Sequence, residues 1–445
     1  MNSTSSSHEQ SLVAKLRAIL TLQTTVEQVV EGCLDRIASC EPQLRAWVRW
    51  DREQSLTSAR ELDSRRKSGA APGGLWGIPL GIKDLFDVVG TSTGCGFSPW
   101  ESGTPCRHEG PLVHQLRRAG GVLLGKTVTT QFACFDPPPT RNPWNPDRTP
   151  GGSSSGSAAA VAVGMCLGAL GSQTGGSIIR PASYCGIAGY KPSWGRLSVE
   201  GVFPAAPSLD VPGPMARTVH DLWILEGVLS REETREVHQR LEERGRPPNQ
   251  LGILRGRFAH HASPDCWAVF EQALNSLSKA GVTISEAPLP PSFDAVLENH
   301  RTVMLTEIAA GHATRYREFR QNYLPRMAGL VEEGSQLRGV DYVLAREHQR
   351  QFSLEMDRLL ETSGVVACPA TPGGAPGPET TGDPTFNSPF SYCGLPAVTL
   401  PMGLDSDGLP LGLQLIGKRN GDRELLLAAL WCETVLGRTG LPNVT

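Results

Sequence analysis

The sequence predicts an α/β fold: one large domain built on a mostly parallel or mixed β-sheet. Two observations carry this reading. First, 445 residues with 39% hydrophobic and 20% charged side chains can enclose a substantial core. Second, segments with helical apolar spacing alternate along the chain with short apolar or β-branched runs bounded by Gly and Pro, the pattern of helices packed on a sheet. No internal repeat interrupts the pattern, apart from two Gly-Gly-Ser triplets at 151–153 and 175–177.

Residues 1–10, "MNSTSSSHEQ", are polar, lack the basic and apolar regions of a signal peptide, and read as a disordered tail. Residues 11–64 are expected to be helical. "SLVAKLRAIL", "TTVEQVVEGCLDRIASCE" and "DREQSLTSARELDSRRK" space their apolar residues helically, and Thr24 or Thr25 can cap the second. "GAAPGGLWGIPLGIKDLFDVVGTSTG" shifts to strands joined by tight turns. "GPLVHQLRRAGGVLLGKTV" reads as helix, turn and short buried strand. No helix persists through the prolines of "DPPPTRNPWNPDRTPGG".

Helix and strand then alternate to about residue 229, with a central strand expected over 165–170. "RPPNQLGILRGRF" restarts a strand. Residues 265–280 and 295–361 are mostly helical, the latter including "TRYREFRQNYLPRM". "GVVACPATPGGAPGPETTGDPT" is a strand running into a Pro/Gly loop. "LPAVTLPMGLDSDGLPLGLQLIG" is a hairpin-like strand pair, and "DRELLLAALWCETVLG" a final amphipathic helix. The domain so outlined spans 11–437, with 438–445 as a C-terminal tail.

A net charge of −3 provides no basic field for nucleic acid or an anionic membrane. The longest weakly polar stretch, 157–171, is too short and too rich in Gly and Ala to span a bilayer. Eleven cysteines form no C-x-x-C pair and read as reduced, buried thiols. A soluble, cytoplasmic protein is expected. No cluster of His, Cys and carboxylates has metal-ligand spacing, so neither a metal nor a cofactor is expected.

The chemistry-bearing candidates are serines and one lysine. G-x-S-x-G occurs at 90–94 and 152–156, but neither match has both the strand before it and the helix after it that a nucleophile elbow needs. In "GSQTGGS", Gly175 and Gly176 let backbone N–H groups converge beside Ser177 without interference from a Cβ. Ser177 is the candidate nucleophile, and the amides of Thr174, Gly175, Gly176 and Ser177 the candidate oxyanion donors. Lys83 ends the uncharged run "LWGIPLGI". It is either a strand-end lysine reaching water, paired with Asp84 or Asp87, or a general base. The second role needs its pKa to fall from about 10.4 toward ~7 through burial.

"GIPLGIKDL", "PTRNPWNPDRTPGGSS", "GGSSSGSAAAVA", "GSQTGGSIIRPASYCGIAGYKPSWGRLS" and "GLPAVTLPMG…GLPLGLQLIG" resemble, in order, successive blocks of the amidase signature family. The resemblance covers most of 11–437. It implies a central mixed sheet flanked by helices on both faces, and a Ser-Ser-Lys triad that cleaves amides. By position, Lys83 is the base, Ser153 the bridging serine on a cis peptide, and Ser177 the nucleophile. Ser154 and Ser155 fall in the Ser/Gly turn, where they cap the next helix or hydrogen-bond near the triad. The commonest family form has Asp at position 173 and Arg two residues after the nucleophile. Here Gln173 and Ile179 stand there and Arg180 follows, which implies a rearranged supporting contact.

The resemblance also places the pocket wall in "QFACFDPPPT", so Gln131, Phe132, Phe135 and Gln173 are the expected substrate contacts. The helical excursion at about 290–361 is the expected cover, with Tyr316, Phe319 and Tyr323 facing the substrate. Such walls suit an aryl or otherwise hydrophobic small amide, with carbamate (urethane) and ester hydrolysis alongside. The expectation is a stand-alone monomer or homodimer with no nucleic-acid or membrane partner. A second expectation is the A component of a tRNA-dependent amidotransferase, acting on glutamine together with a partner chain.

Overall fold

The computed structural model describes residues 11–437 and 440–442. The expected tail at 1–10, and most of that at 438–445, lies outside them. Eleven strands form one mixed sheet: β1 (Trp47–Trp50), β2 (Pro79–Lys83), β3 (Val122–Thr127), β4 (Gly168–Gln173), β5 (Ala188–Lys191), β6 (Val211–Ala216), β7 (Gln250–Ile253), β8 (Thr283–Glu286), β9 (Val365–Pro369), β10 (Ala397–Leu404) and β11 (Pro410–Ile416). Their spatial order is β1-β3-β2-β4-β6-β5-β10-β11-β9-β7-β8. β2 runs parallel to both β3 and β4, β7 runs parallel to β8 and β9, and every other pairing is antiparallel.

Helices flank both faces of this single α/β domain. Ser155–Ala162 and Ile179–Cys185 pack on each other and on the central strands, as do Val219–Leu229 and Asp422–Leu436. β2, β4, β6, β9 and β11 are buried at every residue, as strands covered on both faces must be. The edge strands β1 and β8 are partly exposed.

The N-terminal region is less helical than expected. The helix Val26–Leu44 opens with a capping box, Thr25 with Gln28, and ends at Arg45 in the left-handed region (φ 53°). "WVRW" then pairs antiparallel with β3 as β1, so the predicted helical stretch 11–64 contains a strand. The central strand starts at Gly168 rather than residue 165, because the preceding helix closes through a Met165 N–H to Ala160 O bond and a Gly164 turn (φ 76°). The block at 295–361 divides into helices Val296–Phe319, Pro325–Gly334 and Gly339–Ser363. Among the described residues no helix is long and apolar enough to cross a membrane, and all eleven cysteines are free.

The helix Ser155–Ala162 is wholly buried and built from small residues, which lets it nest against β2, β3, β4 and β6. Gly156 is the tightest point: a Cβ there would lie 2.2 Å from Ala46 O and 2.4 Å from Val128 N. Gly156→Ala is therefore expected to lower stability by about 1–3 kcal/mol. Urea unfolding should show a reduced midpoint at an unchanged m-value; an unchanged midpoint would mean this contact is not close-packed.

Candidate active site

β2 and β4 are parallel neighbours, so their carboxyl ends emerge side by side, where α/β folds place ligands. Lys83 ends β2 and is fully buried. Its Nζ donates to Ser153 Oγ (2.7 Å), Ser172 Oγ (2.9 Å) and, at longer range, Ser172 O (3.4 Å). Burial lowers the Lys83 pKa to about 7, against a smaller opposing pull from Asp210. The surface-lysine alternative is thereby excluded. Asp84 pairs instead with Lys126 (2.8 Å), and Asp87 accepts from Thr93 Oγ1 (2.8 Å).

Ser153 follows a cis peptide at Gly152-Ser153. The Ser154 N–H donates to Ser177 O (3.3 Å), tying the two serine-bearing loops together. The hydroxyls of Ser153 and Ser177 make no hydrogen bond to each other among the described residues. Ser154 and Ser155 do not cap the following helix through their side chains. Ser154 Oγ instead bonds to Ser172 O and N (3.3 Å each), and Ser155 Oγ donates to Gly151 O (2.7 Å).

Gln173 corrects the sequence expectation. It is buried, and its Oε1 accepts from the Ile178 and Ile179 N–H groups (2.8 and 3.0 Å). Its Nε2 donates to Ser391 Oγ (2.9 Å), which in turn donates to Gly175 O (2.6 Å). With both ends of its amide engaged, Gln173 braces the turn that carries Ser177 and does not line the cavity beside it. On the other side, Thr174 Oγ1 donates to Asp210 Oδ1 (2.6 Å), and Asp210 Oδ2 accepts from the Ala205 and Ala206 N–H groups.

Thr174, Gly175, Gly176 and Ser177 all line a cavity of about 180 Å³. Arg180, Ala133, Cys134 and Phe135 also line it, as do Pro384, Thr385 and Ser388. The helix Val296–Phe319 lies over it, presenting Leu297, His300, Arg301, Met304 and Ile308. The His300 Nε2–H donates to Thr174 O (3.1 Å), and burial lowers its pKa to about 4, which keeps the ring neutral.

The expected aromatic wall is largely absent. Phe135 lines the cavity, but Phe132 does not: positive φ at Phe132 and Ala133 (50° and 62°) accompanies the burial of that ring in an aromatic cluster with Phe97, Trp100, Phe203, His312 and Tyr323. Gln131 is also withdrawn, accepting from Leu324 N–H (2.8 Å) and donating to Asn322 O (3.0 Å). Tyr316, Phe319 and Tyr323 pack in or against the same cluster and not in the cavity. Sequence reasoning missed Ser172, Asp210, His300, Ser388 and Ser391. Only Ser172 lies near a recognised motif, one residue before Gln173. Among the described residues no His, Cys, Asp and Glu group is arranged to hold a metal.

A model of the family described as Amidase matches residues 28–426. The chain belongs to this amidase (amidase signature) family and carries an enzyme architecture of the C–N-bond-cleaving kind. A curated relative from Thermosynechococcus vestitus, the A component of its glutamyl-tRNA(Gln) amidotransferase, is 32% identical over 90% of this chain and 92% of its own length. A solved structure described as a vestigial protein complex revealing the origins of an s-triazine catabolic enzyme superposes at TM-score 0.89. It is 28% identical and covers 97% of this chain and 99% of that one. Native peptide amidase from Stenotrophomonas maltophilia superposes at 0.84 with 27% identity, covering 97% and 98%.

These findings overturn two expectations. Further curated relatives carry the same amidotransferase name, so a stand-alone hydrolase of a small aryl or hydrophobic amide is not the reading they support. A monomer or homodimer with no nucleic-acid partner gives way likewise, since that name specifies a tRNA and one component of a larger assembly. The physical reason agrees with this, because Phe135 is the one expected wall aromatic that lines the cavity, while Phe132, Tyr316, Phe319 and Tyr323 pack away from it.

The charge pair beside Lys83 has a measurable consequence. Lys126 and Asp84 are both buried, and Asp84 Oδ2 also accepts from the Gly94 N–H (3.1 Å). Lys126→Met leaves that carboxylate buried without its cation and is expected to destabilise the protein by about 3–5 kcal/mol. Chemical denaturation reads this directly; a loss below about 1 kcal/mol would show that Asp84 gains water or a proton at little cost.

Proposed function

We propose that this chain is the amide-cleaving component of a tRNA-dependent amidotransferase, which takes ammonia from glutamine through Lys83, Ser153 and Ser177. The observation that carries this reading is the likeness to the A components of glutamyl-tRNA(Gln) amidotransferases over nearly the full length of both chains. The buried lysine–serine contact supports it, since 2.7 Å between Lys83 Nζ and Ser153 Oγ suits proton transfer.

Neutral Lys83 takes the Ser153 proton as Ser153 takes that of Ser177, and Ser177 Oγ attacks the glutamine side-chain carbonyl. The negative oxygen forms beside the amides of the turn at 174–177. The proton returns through Ser153 to the leaving nitrogen, the C–N bond breaks, and ammonia departs. The glutamyl ester on Ser177 is then hydrolysed by water, giving glutamate and restoring the hydroxyl. The partner supplies the activated acyl acceptor for the ammonia.

The test is ammonia release from glutamine, and amide formation on glutamyl-tRNA, by the chain alone and co-expressed with its partner. Ser177-dependent ammonia from glutamine, with transfer only in the complex, is the expected outcome. Ser177→Ala should lower kcat by roughly 10⁵-fold or more, and Lys83→Ala by about 10²–10⁴-fold. Turnover of simple amides with none of glutamine, partner present, would overturn the assignment.

The pH dependence has a definite sign. Below about 7 Lys83 is an ammonium and accepts no proton; above it, the amine is free. The kcat/KM should rise with pH to a plateau with a midpoint near 7. A profile flat from pH 5 to 10, with chemistry rate-limiting, would remove Lys83 as the base.

A further inference from the structure

The turn at 174–177 hydrogen-bonds on one side only. All four of its carbonyls are taken: Thr174 O accepts from the His300 Nε2–H (3.1 Å), Gly175 O from Ser391 Oγ (2.6 Å), Gly176 O from the Arg180 N–H (2.9 Å) and Ser177 O from the Ser154 N–H (3.3 Å). None of its four N–H groups has a hydrogen-bond partner among the described residues. Three of the carbonyl contacts come from segments packed on the central sheet. The fourth comes from the helix Val296–Phe319, which lies over the cavity.

A trans peptide points its C=O and its N–H in opposite directions. Whatever holds the Thr174 carbonyl therefore also aims the Gly175 N–H. That peptide can turn over readily, because Gly175 has no Cβ to restrict it. Turned over, it would set a carbonyl oxygen where the substrate oxygen becomes negative, a repulsion in place of a donor. His300 is suited to prevent this. It is 6% exposed, and burial keeps its ring neutral. A carbonyl only accepts, so Nε2 carries the ring proton. The ring also closes the open side of Gly175, where a Cβ would lie 3.6 Å from His300 Cε1 and 3.1 Å from Ser388 Oγ.

We infer that His300 is a positioning residue: by holding the Thr174 carbonyl it aims the Gly175 N–H at the oxygen that becomes negative as Ser177 attacks. The inference rests on the reading of Ser177 as the nucleophile with 174–177 as its oxyanion turn, and not on which amide is cleaved. It makes one oxyanion donor depend on the seating of the covering helix. The contact acts when the oxygen carries charge, and so stabilises the transition state far more than the bound amide. His300 neither gives nor takes a proton in the reaction.

The experiment compares wild type, His300→Phe and His300→Gln, each as the full chain with its partner, in ammonia release from glutamine. The first variant keeps a ring without the N–H, and the second keeps an amide N–H that can reach Thr174 O. His300→Phe should lower kcat by about 10–100-fold while KM stays within about threefold. His300→Gln should run at least about fivefold faster than His300→Phe. Phosphonylation of Ser177 by a neutral fluorophosphonate develops the same negative oxygen, and should slow in parallel with kcat. Urea midpoints report whether each variant is folded; where His300→Phe does not fold, His300→Leu takes its place.

An unchanged kcat in His300→Phe would overturn the inference, since the peptide then holds its own direction. A rise in KM at constant kcat would do so as well, because the ring would then be a substrate contact. So would a His300→Gln enzyme no faster than His300→Phe at equal urea midpoints, since the N–H would not be what matters. The two readings separate cleanly: His300-dependent phosphonylation without turnover of glutamine leaves this inference standing and removes the glutamine assignment. Glutamine turnover and phosphonylation both indifferent to His300→Phe do the reverse. A wild type whose Ser177 is never labelled and that never turns over glutamine removes both.

Discussion

A lysine amine sealed among hydroxyls and a carbonyl, with no carboxylate touching it, is the constraint around which the site is organised. Lys83 meets Ser153 and Ser172 only, and burial holds it near neutrality. Had Asp84 turned toward it, the ion pair would have fixed the charged form. Instead Asp84 is engaged by Lys126 one strand away, on β3. The neighbouring ion pair thus keeps a carboxylate off the amine as well as joining β2 to β3. The strand directions matter equally. Only because β2 and β4 are parallel do Lys83 and the turn after Gln173 reach the same edge of the sheet.

The serine-bearing turn depends on a second chain of contacts, whose polarity explains a residue choice. Ser391 has one hydroxyl proton and gives it to Gly175 O, so it needs a donor on its other side. Gln173 Nε2 is that donor, while Oε1 collects two backbone N–H groups. A carboxylate at 173 could accept those amides but could not donate to Ser391. Glutamine here is therefore matched to Ser391. Gly176 is part of the same fit, since a Cβ there would lie 2.5 Å from Asn387 Oδ1.

Much of this architecture could be read along the chain. The uncharged run before Lys83 marks a strand buried on both faces, and "LPAVTLPMGLDSDGLPLGLQLIG" forms the β10–β11 hairpin. Thr25 caps its helix with Gln28 in the capping-box spacing. The residues that escaped notice are those whose partners are remote: Ser391 lies 218 positions from Gln173, and no local pattern distinguishes it from any other serine. Phe132 escaped for a different reason. Its direction is set by two consecutive positive φ angles, which a sequence without glycine at either position does not announce. β1 was hidden because four residues between two strong helices carry too short a pattern to declare their period.

By itself the sequence determined the family and most of the order of helices and strands, because these depend on local periodicity and on short motifs whose residues are neighbours in the chain. Tertiary structure alone decided which buried lysine stands free of acid, which glutamine braces a turn and which phenylalanine faces the cavity. Those outcomes follow from packing and from the pairing of hydrogen-bond donors with acceptors across segments far apart in the chain. A polar side chain's role depends on which partner remains available once the fold has closed.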